Sequence, residues 1–181
     1  MKLNEAFQIA TRIQIALAPH CEFERCRIAG SIRRGKADVG DIEIVCLPKK
    51  EPEMTADMFP TATGKMVSTA QFHSIVQALV KTPDVGNPNG RNMRFEMHEG
   101  IKLDLFMPQA KDYFRIFAMR TGSADYSHKV IATAWVRMGY HGSENGLQKQ
   151  EGLTTIAAPA WQSEHEFFEW LGLQWIDPKL R

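Results

Sequence analysis

Apolar residues first recur at helical spacing, with Phe7, Ala10, Ile13 and Leu17 on one stripe until Pro19 stops it, which predicts an opening helix with Asn4 as its cap. The period then changes. Arg27 to Ala29 reads as a short strand entering a turn at Gly30, and Asp41 to Leu47 reads as a second strand, apolar apart from two acids. Pro48 to Gly64 predicts a loop or hairpin extension, Thr69 to Lys81 a helix with Phe72, Ile75, Val76 and Leu79 on one side. The segment TPDVGNPNGRN is dense in turn formers and predicts an exposed hairpin tip. Met93 to Met97 and Ile101 to Met107 then pair as strands around Glu99 and Gly100, which would bring Asp104 beside Asp41.

Past Pro108 the pattern becomes helix, helix, hairpin, helix. Gln109 to Arg120 is a helix ending at Gly122, and Ser123 caps another that runs to Arg137 and ends at Gly139. Asn145-Gly146 within YHGSENGLQKQEG marks a tight hairpin turn, and Ser163 with Glu166 forms a capping box before FFEWL, closed by Gly172. The whole order predicts an α+β fold: a mixed β-sheet flanked by helices over residues 1–108, then a small helical and β-hairpin domain over 109–181.

Composition narrows the class. With 181 residues, 44% hydrophobic and 24% charged, the chain can bury a real core, and no stretch approaches the ~20 apolar residues of a membrane span. MKLNEAFQIATRIQIAL alternates too regularly for a signal peptide, so the expected location is the cytoplasm, with no membrane partner. Cys21, Cys26 and Cys46 make no metal-type spacing, Cys46 sits in an apolar run, and a reducing compartment without zinc follows. A net charge of +1 announces no nucleic-acid binder, but its distribution is uneven. Arg25 to Lys36 carries five basic residues and no acid, and Lys111 to Arg137 five against two acids, as a surface for a phosphate backbone requires.

Candidate chemistry lies in two short segments. In VGDIEIVCLP, Asp41 and Glu43 stand two apart in a strand and so project to one face about 6.6 Å apart, while IKLDLFMP offers Asp104 as a third carboxylate. Such a set can hold two Mg²⁺ ions roughly 3.5–4 Å apart, the arrangement that clamps a transferring phosphoryl group. Without a cation the cluster is costly, because close carboxylates resist joint ionisation. Just upstream, GSIRRG combines Gly30 and Gly35, the hydroxyl and helix-capping ability of Ser31, and the cations Arg33 and Arg34, which describes an anion-binding turn at a helix start. Taken singly, the acid pair reads equally as a solvated strand end and GSIRRG as a basic surface turn. Placed in sequence, they suit a triphosphate carrying Mg²⁺.

GSIRRG, VGDIEI, LDLF, RTGSADYS and the ending LGLQWIDPKLR, in that order and spacing, resemble the family X DNA polymerases, the polymerase beta family. The resemblance implies a nucleotidyltransferase-fold palm followed by a thumb, and DNA-directed addition of dNTPs to a primer 3′-hydroxyl in gap-filling repair. It implies that Asp41, Glu43 and Asp104 bind two Mg²⁺ ions, with Mn²⁺ as an alternative. Gly30, Ser31, Arg34 and Gly40 would face the triphosphate. Thr121 and Gly122, with Met119, Arg120 and Asp125, would face sugar and base. Lys102, two residues before Asp104, and Lys129 would touch DNA. With no lyase domain ahead of the palm, the chain resembles the smallest, virus-encoded members, and a bacterial or viral monomer is expected. Three departures stand out. Glu43 replaces the usual Asp, adding about 1.5 Å of reach; Met119 and Arg120 replace a common aromatic pair; and the net charge is low. Two other classes share these residues: a template-independent nucleotidyltransferase acting on RNA, protein or a small molecule, and a catalytically silent DNA-binding relative.

Overall fold

The structure, a computed structural model, describes residues 1–81 and 90–181, and the hairpin tip expected at TPDVGNPN lies outside them. Helix α1 (Leu3–Leu17) buries Ala6, Ile9, Ala10, Ile13 and Leu17. Phe7 is instead 52% exposed, and Asn4 lies inside the helix rather than capping it, since the helix start at Lys2 has no side-chain cap. Tertiary pairing sets that start: the Leu3 amide donates to Ala37 O at 3.0 Å and the Val39 amide to Met1 O at 2.9 Å.

Strand β1 (Cys21–Ile28) begins well before the expected Arg27 and pairs antiparallel with β2 (Asp41–Pro48), with a break in register between Cys21 and Cys26. Between them lies the four-residue helix α2 (Gly30–Arg33). A separate hairpin of β3 (Lys50–Met54) and β4 (Ala62–Ser68) leads to α3 (Ala70–Leu79), where the Thr69 hydroxyl accepts the Phe72 amide at 3.3 Å. Strands β5 (Asn92–Glu96) and β6 (Lys102–Phe106) pair antiparallel, and the main sheet has the order β1-β2-β6-β5 with β2 and β6 parallel. The sheet is mixed and the fold α+β, as expected.

Alternation along the strands gives this sheet two unlike faces. Ile42, Ile44, Cys46, Leu103 and Leu105 face α1 and α3 in one core. Val45, Leu47 and Phe106, one residue out of phase, join a second core with Tyr113, Phe114 and Phe117 of α4 (Tyr113–Thr121). The buried Tyr113 hydroxyl donates to Val45 O at 3.2 Å, tying α4 to the strand. The helix capped by Ser123 runs as α5 (Ala124–Tyr126), a π-helical stretch (Ser127–Ala132) and α6 (Thr133–Arg137). The expected hairpin is a three-stranded sheet of β7 (His141–Ser143), β8 (Gly146–Glu151) and β9 (Thr154–Ala157). Helix α7 (Glu164–Trp170) is capped by Ser163, and its Phe167 and Phe168 complete the second core.

A buried carboxylate locks the two halves together. Glu164 of α7 accepts two hydrogen bonds from Arg33 of α2, at 3.0 and 2.9 Å, two from Arg181, at 2.7 and 3.4 Å, and one from the Trp175 indole at 2.9 Å. Burial alone would raise its pKa, but the hydrogen bonds from Arg33 and Arg181 outweigh that and hold it at about 2. A carboxyl depressed from its ordinary 4.5 stabilises the fold at higher pH and loses that contribution as pH falls towards 2. Glu164→Gln should therefore cost about 3–5 kcal/mol near neutral pH, since it strands two cations. In urea unfolding the gap between wild type and variant should shrink as pH is lowered from about 5 towards 2. A gap independent of pH would show that the carboxylate charge is not what binds the arginines.

Candidate active site

Register decides which acids meet. Parallel pairing of β2 with β6 sets Glu43 opposite Asp104 and Asp41 opposite Lys102, so Asp104 neighbours Glu43 rather than the expected Asp41. Paired residues share a face, so all three carboxylates stand on the side that α4 only partly covers. From β5, opposite Asp104, comes an arginine that sequence reasoning missed. Arg94 grips Asp104 with two hydrogen bonds, at 2.6 and 2.5 Å, and lies 3.9 Å from Asp41. The only sequence signal for it was its alternation with Met93 and Phe95, which puts it on the polar side of its strand.

Glu43 feels the crowding most. Burial and the charge of Asp41 raise its carboxyl to about 7, with Asp104 adding to the rise and Arg120 and Arg34 opposing it. Gly30 makes room for it. A Cβ at Gly30 would lie 2.0 Å from the Glu43 Oε2, and the residue's φ of 62° is one that other residues adopt at a cost of roughly 1–2 kcal/mol.

The two arginines of GSIRRG point different ways. Arg33 reaches Glu164 and donates to the Thr121 hydroxyl at 2.6 Å, while Arg34 donates to the carbonyls of Thr121 and Gly122 at 2.7 and 3.1 Å. Ser31 does not cap α2, whose cap position is Ala29; its hydroxyl is buried without a hydrogen-bond partner among the described residues, as is Arg34 Nε. Two unsatisfied polar atoms in one short turn are unusual in a folded protein.

Beside this turn opens a cavity of about 520 Å³, of a size that admits a small-molecule ligand. Arg34, Glu43, Met119, Arg120 and Gly122, all singled out in the sequence, line it together with Arg115, Ser127 and His128, which were not. Gly122 is there for closeness, since a Cβ would lie 2.5 Å from Ser127 Oγ. Arg120 also lies over the Phe106 ring at 3.9 Å. Other expected residues are placed apart. Thr121 is fully buried with its hydroxyl oxygen accepting from Arg33, and Asp125 and Lys129 pair with each other at 3.0 Å on the exposed side of the helix. Gly40 borders open space before β2, and Lys102 is exposed at the start of β6.

Asp41, Glu43 and Asp104 offer hard oxygen donors of the kind that Mg²⁺ takes. As the side chains stand, with Asp104 turned to Arg94, no three acidic, histidine or cysteine groups among the described residues converge to hold a metal ion. Among the described residues, no helix is long and apolar enough to cross a membrane.

Residues 117–181, roughly the last third of the chain, match the family model described as DNA polymerase beta thumb. That stretch contains most of the cavity wall from Met119 to His128 and the Glu164–Arg181 lock. The chain is thus a relative of the family X DNA polymerases. No curated protein matches it.

Asp41→Asn should lower the Glu43 pKa below about 7 yet leave it above the ordinary 4.5, since burial is the larger cause. Carbon-13 NMR titration of the Glu43 carboxyl measures this directly. A value unmoved by the substitution would mean that the two carboxylates do not interact.

Proposed function

We propose that the chain is a small DNA-directed DNA polymerase that joins a dNTP to a primer 3′-hydroxyl in gaps, with residues 1–108 as palm, 109–181 as thumb, and a monomeric, cytoplasmic mode of action. The observation that carries this reading is the placement of Asp41, Glu43 and Asp104 on one sheet face beside a turn whose Ser31 hydroxyl and Arg34 Nε lack hydrogen-bond partners among the described residues. The likeness of residues 117–181 to a polymerase beta thumb supports DNA as the partner.

In this reading Ser31 donates its hydroxyl hydrogen to a phosphate oxygen, and Arg34, already aimed by the carbonyls of Thr121 and Gly122, presents its guanidinium edge to the same group. Arg120 adds positive charge along the cavity, and Met119 and Gly122 form the wall beside sugar and base. Asp104, once free of Arg94, accepts the proton of the primer 3′-hydroxyl as its oxygen bonds to the α-phosphorus of the dNTP, and pyrophosphate leaves with the electron pair of the broken P–O bond. Mg²⁺, held by Asp41, Glu43 and Asp104, would supply Lewis-acid stabilisation of the charge that builds on the phosphate oxygens. Positioning and electrostatics then account for most of the catalysis, as is general for phosphoryl transfer.

The Arg94 grip on Asp104 favours a second reading, a DNA-binding relative without polymerase activity. Two measurements separate them. Asp104→Asn should abolish Mg²⁺-dependent incorporation on a one-nucleotide gap while the melting temperature stays within a few degrees, because the residue sits in an acidic cluster that strains the fold rather than supports it. Retained incorporation would sink the assignment of Asp104. Arg94→Gln should tighten Mn²⁺ binding, read by electron paramagnetic resonance of the free ion, since Arg94 is exposed on the edge strand and competes with the ion for the same carboxylate. Unchanged or absent Mn²⁺ binding in both proteins would favour the silent relative.

A further inference from the structure

A second cavity, of about 410 Å³, lies across α4 from the first. Phe114 lines it, whereas Ile116, Met119 and Arg120 line the first, and at 100° per residue those positions fall on opposite sides of one helix. The adjacent arginines divide in the same way, Arg34 to the first cavity and Arg33 to the second.

Its wall is built by the irregular stretch of β1. Glu24 holds a left-handed φ of 55°, costly for a residue with a Cβ, and at this bulge Phe23 is 88% exposed. Arg25 turns back over the rings of Phe114 and Tyr113, at 4.3 and 5.1 Å, and makes no hydrogen bond or ion pair among the described residues. Arg27 lies over the Phe117 ring at 5.8 Å, and among the described residues its hydrogen bond and ion pair are both with Glu24, through its carbonyl at 3.1 Å and its carboxylate at 3.6 Å. The other acid in the wall, Glu164, is already matched by Arg33 and Arg181. On the facing side His165 stacks on Trp175 with centroids 4.6 Å apart. The cavity thus joins an uncompensated guanidinium to exposed aromatic faces. A phosphate with an attached base asks for that pair, since stacking platforms set in a positive groove bind single-stranded nucleic acid.

We propose that this cavity is a second DNA subsite that takes one unpaired nucleotide of the substrate strand, its phosphate on Arg25 and Arg27 and its base against Phe23. This rests on the polymerase reading for the identity of the strand, and the cavity's place across α4 from the phosphate turn puts both sites within one bound substrate. Phe23→Ala removes an exposed ring and leaves folding untouched; Arg25→Gln removes the charge, with thermal melting as its check.

The test is fluorescence polarisation of the full chain, without metal or dNTP, against a labelled single-stranded oligodeoxynucleotide and a blunt duplex of equal length. Each variant should lose about tenfold in affinity for the single strand, as expected for one stacked base, and little for the duplex. Unlabelled dAMP should compete for the single strand in the wild type and not in Phe23→Ala. Equal losses on both probes, no loss on either, or no binding by the wild type would overturn the subsite. So would competition by polyglutamate as strong as that by oligonucleotide, which would make the ligand an acidic peptide. Primer extension separates the two proposals: Phe23-dependent binding without extension refutes only the polymerase, and extension with Phe23-independent binding refutes only the subsite.

Discussion

Parallel pairing of β2 with β6 is the constraint from which the rest of the site follows. It sets Glu43 directly against Asp104, with Asp41 on the same face, and three carboxylates this close must be compensated or protonated. Arginines supply the compensation from three separate elements: Arg94 from β5, Arg34 from the end of α2 and Arg120 from α4. Glu43 stays only partly compensated: burial first, and then the charge of Asp41, raise its pKa to about 7.

The second organising contact is Glu164. It lies at the start of α7, takes Arg33 from α2 and Arg181 from the chain's end, and so holds the two halves of the chain at one junction. The second core crosses the same junction, with Val45 and Phe106 of the sheet against Tyr113, Phe117, Phe167 and Phe168. Arg33 and Arg34, neighbours in sequence, thereby serve different ends: one fastens the halves, the other remains at the cavity with its Nε unspent. A turn rich in cations thus serves both the joint and the cavity wall.

Much of the architecture was legible because periodicity is local. The strands Asp41–Pro48 and Lys102–Phe106 and the caps Ser123 and Ser163 stand where their patterns put them. What failed was the part that needs a distant partner. The opening helix starts at Leu3 rather than after Asn4, because Met1 and Leu3 pair with Val39 and Ala37. Strand β1 extends back to Cys21, since CEFERCRI has no clean alternation and is held by β2 despite a bulge. The strand Thr154–Ala157 was missed for the same reason, its pairing with β8 outweighing a weak pattern.

By itself, then, the sequence determined the element types, the acid-X-acid strand, the basic glycine turn and the resemblance of its motifs to a polymerase family, because each is written in residues a few positions apart. Only the tertiary structure decided that Asp104 meets Glu43 and not Asp41, that Arg94 grips it, that Arg33 is spent on Glu164, and that Asp125 and Lys129 satisfy each other away from the cavity. The reason is physical. A one-residue change of register exchanges the two faces of a strand, and the choice among registers is made by burying both cores at once, a sum over contacts that no short segment contains.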